Sequence, residues 1–233
     1  MKINKTLFTL GLAAVASLFF VSCDCGKKAD TRIIPAENFD TTINGKQVSL
    51  YTLQNSQGMV AQLTNYGARL VDLWVKDKQG NFQDVVWGYD SIQGYLNSTD
   101  LYCGPIVGRY GNRIGKGKFT LDGTEYTLTL NNNGNHLHGG PGGFECRVWD
   151  ATQFKTTEGN DAVKMTYVSP AGEEGYPGTL TTEVTYSLNE NNELVIEYSA
   201  TTDAPTILNP TNHSYFNLHG TSAQSTNSHV LQI

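Results

Sequence analysis

Basic side chains are scarce in this chain of 233 residues: 16 Lys+Arg stand against 22 Asp+Glu, for a formal charge of −6. Nothing in it can build a basic stripe that neutralises phosphates, so nucleic acid is excluded as a partner. Sustained helical periodicity is also missing. No window keeps a 3.6-residue apolar period over three turns, which excludes helical bundles and βαβ alternation and leaves room for one short helix within 90–97. The sequence holds no CxxC, HExxH, GxSxG or GxGxxG. Zinc clusters, zincin and serine-hydrolase chemistry and a dinucleotide cradle lose their usual signals with them. Of four cysteines, Cys103 and Cys146 lie far apart in the body of the chain and read as small buried hydrophobes rather than as a bridge.

What remains is rich in turn formers and aromatics, with 24 Gly, 7 Pro and 10% Phe, Trp and Tyr. Asn44-Gly45 precedes the alternating run Val48–Leu53, and Asp122-Gly123 joins two alternating segments, Phe119–Leu121 and Thr124–Leu128. Both dipeptides favour the left-handed conformation of tight hairpins. Thr182–Leu188 and Leu194–Ala200 alternate again, and His229–Ile233 reads as a further strand. Strands at this density predict an all-β, mostly antiparallel sandwich.

The N-terminus reads as a targeting segment. Lys2 and Lys5 precede an apolar run from Leu7 to Val21, 15 residues long and therefore short for a membrane span. Ser22-Cys23 then resembles a bacterial lipobox. The organisation expected is a lipoprotein signal at 1–22, a tether at 23–37 and one β domain at 38–233. Cys23 is the expected lipidation site, which implies an exported, membrane-anchored lipoprotein of a Gram-negative-type bacterium.

Four segments carry groups suited to chemistry. Asn135-His136-Leu137-His138-Gly139-Gly140 would put both imidazoles on one face if extended, as metal ligands are, but it lacks a third ligand. A polyhydroxylated ligand or a structural turn suits that loop better than a metal. In Asn209-Pro210-Thr211-Asn212-His213-Ser214-Tyr215-Phe216-Asn217-Leu218, an imidazole among amides, hydroxyls and aromatics suits acid–base work near neutral pH. Gly108-Arg109-Tyr110-Gly111-Asn112-Arg113 offers two guanidinium groups to a sugar oxygen or a carboxylate. Gly172-Glu173-Glu174-Gly175-Tyr176-Pro177-Gly178 is an acidic turn, one of whose carboxylates could line a cleft.

Together, and with Asn65-Tyr66-Gly67-Ala68-Arg69-Leu70 and Asp84-Val85-Val86-Trp87-Gly88-Tyr89, these segments resemble the aldose 1-epimerase (galactose mutarotase) family in order and spacing. The resemblance implies a large antiparallel β-sandwich, the supersandwich. It also implies an isomerase that interconverts the α and β anomers of aldohexoses such as glucose and galactose without metal or cofactor. By that resemblance His213 is the general acid to the ring oxygen, Asn112, Arg113 and His138 hold substrate hydroxyls, and Ser214 and Tyr215 flank the acid. The family's base, a Glu in a C-terminal Gly-hydrophobic-Glu-Thr segment, and its upstream substrate-binding Asp have no counterpart in these 233 residues. The chain therefore resembles an N-terminal part of such a protein, with acid but no base and little activity of its own. A non-catalytic carbohydrate-binding surface lipoprotein is the alternative.

Overall fold

In a computed structural model, residues 33–221 and 225–233 are described. Cys23, the signal segment and the first part of the tether lie outside the described residues.

Two four-stranded antiparallel meanders form the body. The first orders Leu50–Gln54, Val60–Thr64, Arg69–Lys76 and Phe82–Asp84 side by side. The second orders Asp150–Lys155, Asp161–Ser169, Leu180–Leu188 and Leu194–Thr202. Strand periodicity decides what is buried. Along Leu180–Leu188 every second residue (Leu180, Thr182, Val184, Tyr186, Leu188) is inside. Val184, Tyr186 and Leu188 join Val163 and Met165 against Leu53, Leu63, Leu70 and Leu73 of the first sheet in one apolar cluster. Each large side chain so buried stabilises the fold by roughly 1.5–3 kcal/mol. The all-β antiparallel sandwich read from the sequence is therefore the observed architecture.

The turns follow their chemistry. Asn44 and Gly45 have φ of 50° and 77° and join Thr41–Ile43 to Lys46–Val48. Asp122 and Gly123, at 49° and 79°, do the same for Lys118–Leu121 and Thr124–Thr127. Ser91 Oγ accepts the Gly94 N–H and starts the expected short helix, Ile92–Asn97.

Several expectations need correction. The run Val48–Leu53 is not one strand, because Ser49 donates its N–H to Asn65 Oδ1 at 2.9 Å and the chain changes sheets there. His229–Ile233 forms no strand, and Val230, Leu231 and Ile233 are exposed. Alternation marks a strand only where a neighbour supplies the ladder, and none of the described residues does. Ile34, within the expected tether, exchanges two hydrogen bonds with the Gln62 side chain. Cys103 and Cys146, by contrast, are free thiols in keeping with the reading above, the first buried and the second half-buried.

Candidate active site

The strand pair that carries His213 is short. Thr211 and Asn212 pair with Val107 and Ile106, and His213 itself donates to Pro105 O at 2.8 Å and accepts from Gly104 N at 3.2 Å. Beside it, Arg109 is a strut rather than a ligand. Its guanidinium is buried and donates six hydrogen bonds, to Ser169 Oγ and O, Pro170 O, Pro177 O, Gly178 O and Thr206 Oγ1. Arg113, four residues on, is exposed. Asn132 Oδ1 accepts from its Nε at 3.0 Å and Asn112 Oδ1 from its Nη1 at 3.2 Å. The two arginines of one Gly-flanked segment thus have opposite roles.

The two histidines of 136–138 part in the same way. His136 is fully buried in the ribbon His136–Leu137, where Nδ1 donates to Thr129 O at 2.6 Å and Nε2 accepts from the Tyr176 hydroxyl at 2.7 Å. It is a neutral core histidine with both nitrogens satisfied. His138 has φ of 55°, which turns its side chain out of the extended register and breaks the shared face expected for 136 and 138. No group of three or more His, Cys, Asp or Glu among the described residues could hold a metal.

His138 reaches the site with a fixed tautomer. Its N–H donates to Asn112 O at 3.0 Å, and its Nδ1 accepts the Asn112 N–H at 2.9 Å. A ring nitrogen that accepts a backbone N–H carries no proton, so neutral His138 keeps its proton on Nε2 as a donor. Burial, then the neighbouring His213 and Arg113, push its pKa down to about 4. At neutral pH it is an uncharged hydrogen-bonding group and not a proton source.

His138 and His213 meet edge to face, with ring centroids 5.0 Å apart. Tyr102 packs on both, at 4.7 Å from His138 and 5.8 Å from His213. Tyr215 lies 5.3 Å from His213 on its other side, and Trp87 lies 5.9 Å beyond Tyr215. Trp87 and Tyr215 are 52% and 38% exposed, so this row of rings opens to solvent at one end. Ser214 donates its N–H to Asn212 Oδ1, whereas its Oγ is enclosed without a partner and does not face solvent.

Five of the six candidate residues (Asn112, Arg113, His138, His213 and Tyr215) are thus linked through contacts on one surface. Sequence reasoning missed Tyr102, Trp87 and Asp100. The Asp100 carboxylate accepts the Tyr102 N–H at 2.9 Å. Burial first, and then Asp100, raise the Tyr215 pKa above its ordinary value. The available signal was the aromatic density of 87–102, of which only Trp87 and Tyr89 lie in a segment that carried the resemblance.

Residues 49–233 match the aldose 1-epimerase family. The chain belongs to that family. It is 42% identical to galactose mutarotase of Bos taurus over 194 residues, covering 83% of this chain and 54% of that protein. Against the aldose 1-epimerase of Escherichia coli (strain K12) it is 36% identical over 190 residues, covering 82% and 53%. Among solved structures, galactose 1-epimerase from Lactobacillus acidophilus NCFM superposes with a TM-score of 0.69 at 32% identity, covering 76% of this chain and 51% of that one. The chain spans about half the length of the curated relatives it matches.

Within this aldose 1-epimerase fold, several of the segments that carried the resemblance serve as scaffold. Asn65 bonds Ser49 N, Gln47 O and Trp149 O. Asp84 Oδ1 accepts from Leu73 N and Val86 N. Glu173 pairs with Arg147 at 2.9 Å and accepts the Tyr167 hydroxyl at 2.7 Å. These contacts tie the strands and turns of the sandwich to one another and do not touch the site residues themselves.

Proposed function

We propose that this chain binds aldohexoses such as galactose and glucose and serves the interconversion of their α and β anomers, an isomerase reaction. The observation that carries this reading is the neutral, tautomer-fixed His138 set beside His213 and Arg113, with the Tyr102 ring packed on both imidazoles. His213 protonates the ring oxygen, since imidazole is the side chain whose ordinary pKa suits proton transfer near pH 7. Arg113, Asn112 and His138 Nε2–H hold hydroxyls, and Tyr215 offers an aromatic face. In the family the anomeric hydroxyl gives its proton to a carboxylate base, the ring opens to the aldehyde, and rotation and reclosure yield the other anomer. Galactose is expected to shift the imidazole signals of His138 and His213 saturably in NMR titration, and a polypeptide that also carries the family's C-terminal base segment is expected to show mutarotation above buffer by polarimetry on fresh α-galactose. Imidazole signals that ignore the sugar would overturn the proposal.

Export with a lipid on Cys23 is a second part of the proposal, supported by the 15-residue apolar run and Ser22-Cys23. Cys23→Ala should abolish fatty-acid labelling and release the protein from membranes. Undiminished labelling of that variant would refute the anchor.

A further inference from the structure

The glycines that follow His138 look like a cradle left open for a ligand. A carboxylate fills that space instead. A Cβ at Gly140 would lie 2.4 Å from Glu174 Oε2, and one at Gly142 would lie 2.5 Å from Glu174 Oε1. The Gly142 N–H donates to Glu174 Oε1 at 2.9 Å. Its carbonyl accepts from Arg147 Nε and Nη2 at 3.1 and 2.7 Å, and Arg147 is itself paired with Glu173. Gly142 is therefore gripped at both its N–H and its C=O by charged groups on separate loops. Hydrogen bonds of this charge-assisted kind are the stronger ones.

Between that clamp and His138 stand only Gly139, Gly140 and Pro141. Gly139 and Gly140 have φ of 94° and 93°, a region glycine enters freely and leaves as freely. The Gly140 N–H donates to Leu137 O at 3.0 Å across this pair; without the clamp the Gly139-Gly140 pair would rely on that bond and could act as a hinge that lets the imidazole drift from Asn112 and His213. We propose that Glu174 is a positioning residue for His138: by fixing Gly142 it freezes the Gly139-Gly140 hinge and sets the imidazole in its sugar-binding pose. The clamp acts through the backbone and never touches the substrate. The role in sugar binding rests on the function proposed above; the role in placing His138 does not.

Glu174→Ala and Glu174→Gln separate this role from simple scaffolding. Glutamine keeps an acceptor for the Gly142 N–H, so it should leave galactose affinity within about twofold and the His138 titration unchanged. Alanine should weaken galactose binding by about tenfold, as misplacing a binding group does. It should also move the His138 titration, followed by NMR, upward by about one pH unit as the ring leaves its buried seat. A merely structural Glu174 would lower the melting temperature of the alanine variant and leave both quantities as in the wild type, which would overturn the proposal. If the alanine variant does not fold, Glu174→Asp, with a carboxylate one methylene short of Gly142, must show the same two shifts. If the wild type binds no galactose, the proposed function fails, while the His138 titration still decides the role of Glu174.

Discussion

Replacing His213 with alanine is expected to slow anomer interconversion by roughly two orders of magnitude or more, the scale of one acid–base catalyst. The measurement requires a polypeptide that also carries the family's C-terminal base segment, followed by polarimetry on freshly dissolved α-galactose. Sugar affinity should stay within a few-fold, because the proposed function assigns hydroxyl recognition to Arg113, Asn112 and His138 rather than to the acid. His138 cannot substitute for the lost proton donor. Its Nδ1 already accepts the Asn112 N–H, and its pKa near 4 leaves it neutral at working pH. Arg113→Ala should behave differently and weaken binding together with rate, since in the proposed site this exposed guanidinium, held by two asparagines, would contact the substrate before and during the reaction. A His213 variant that equilibrates anomers as fast as the wild type would dispose of the mechanism.

The largest effect on stability is expected at Arg109. Arg109→Met keeps bulk and removes the charge, leaving Ser169 O, Pro177 O and Gly178 O without the donors that a buried guanidinium gives them, two of these bonds being fully buried. Unsatisfied buried acceptors are costly, and breaking a buried charged network loses about 3–5 kcal/mol. For a domain of this size that is a fall in melting temperature of roughly 10 °C. Arg109→Lys should recover little, because an ammonium cannot spread donors over so many acceptors. Urea unfolding decides the matter: a methionine variant within about 1 kcal/mol of the wild type would show that the network contributes little net stability.

The hairpins were legible because their signals are local. Asn44-Gly45 and Asp122-Gly123 dictate their turns from two residues each, and period-two burial in Leu180–Leu188 follows directly from alternation. The site was legible only in part, because its assignments depend on distant partners. Nothing near Arg109 and Arg113 says which is buried; acceptors on 169–178 decide it. His136 and His138 differ by one left-handed residue, which spacing cannot reveal. The glycines of 139–143 read as room for a sugar because the carboxylate that occupies the space comes from Glu174, more than thirty residues later. Tyr102 went unread, and Trp87 was given no place in the site, because an aromatic ring announces no chemistry until its neighbours are known.

The reach of the Arg109 network has a consequence for how the molecule is made. Its hydrogen bonds span 60 to 97 residues of chain, all towards the C-terminus. A ribosome adding about 5–20 residues per second leaves this guanidinium waiting for several seconds, or longer, before Thr206 exists. During that time the first meander, complete by Asp84, is already synthesised and can pair locally, while the surface that will receive the second stays uncovered. Synthesis therefore passes through a half-built sandwich with its apolar face open. Slowing translation after residue 109 would lengthen that exposure, and a holdase chaperone acting on this chain would find its substrate between Asp84 and Thr206.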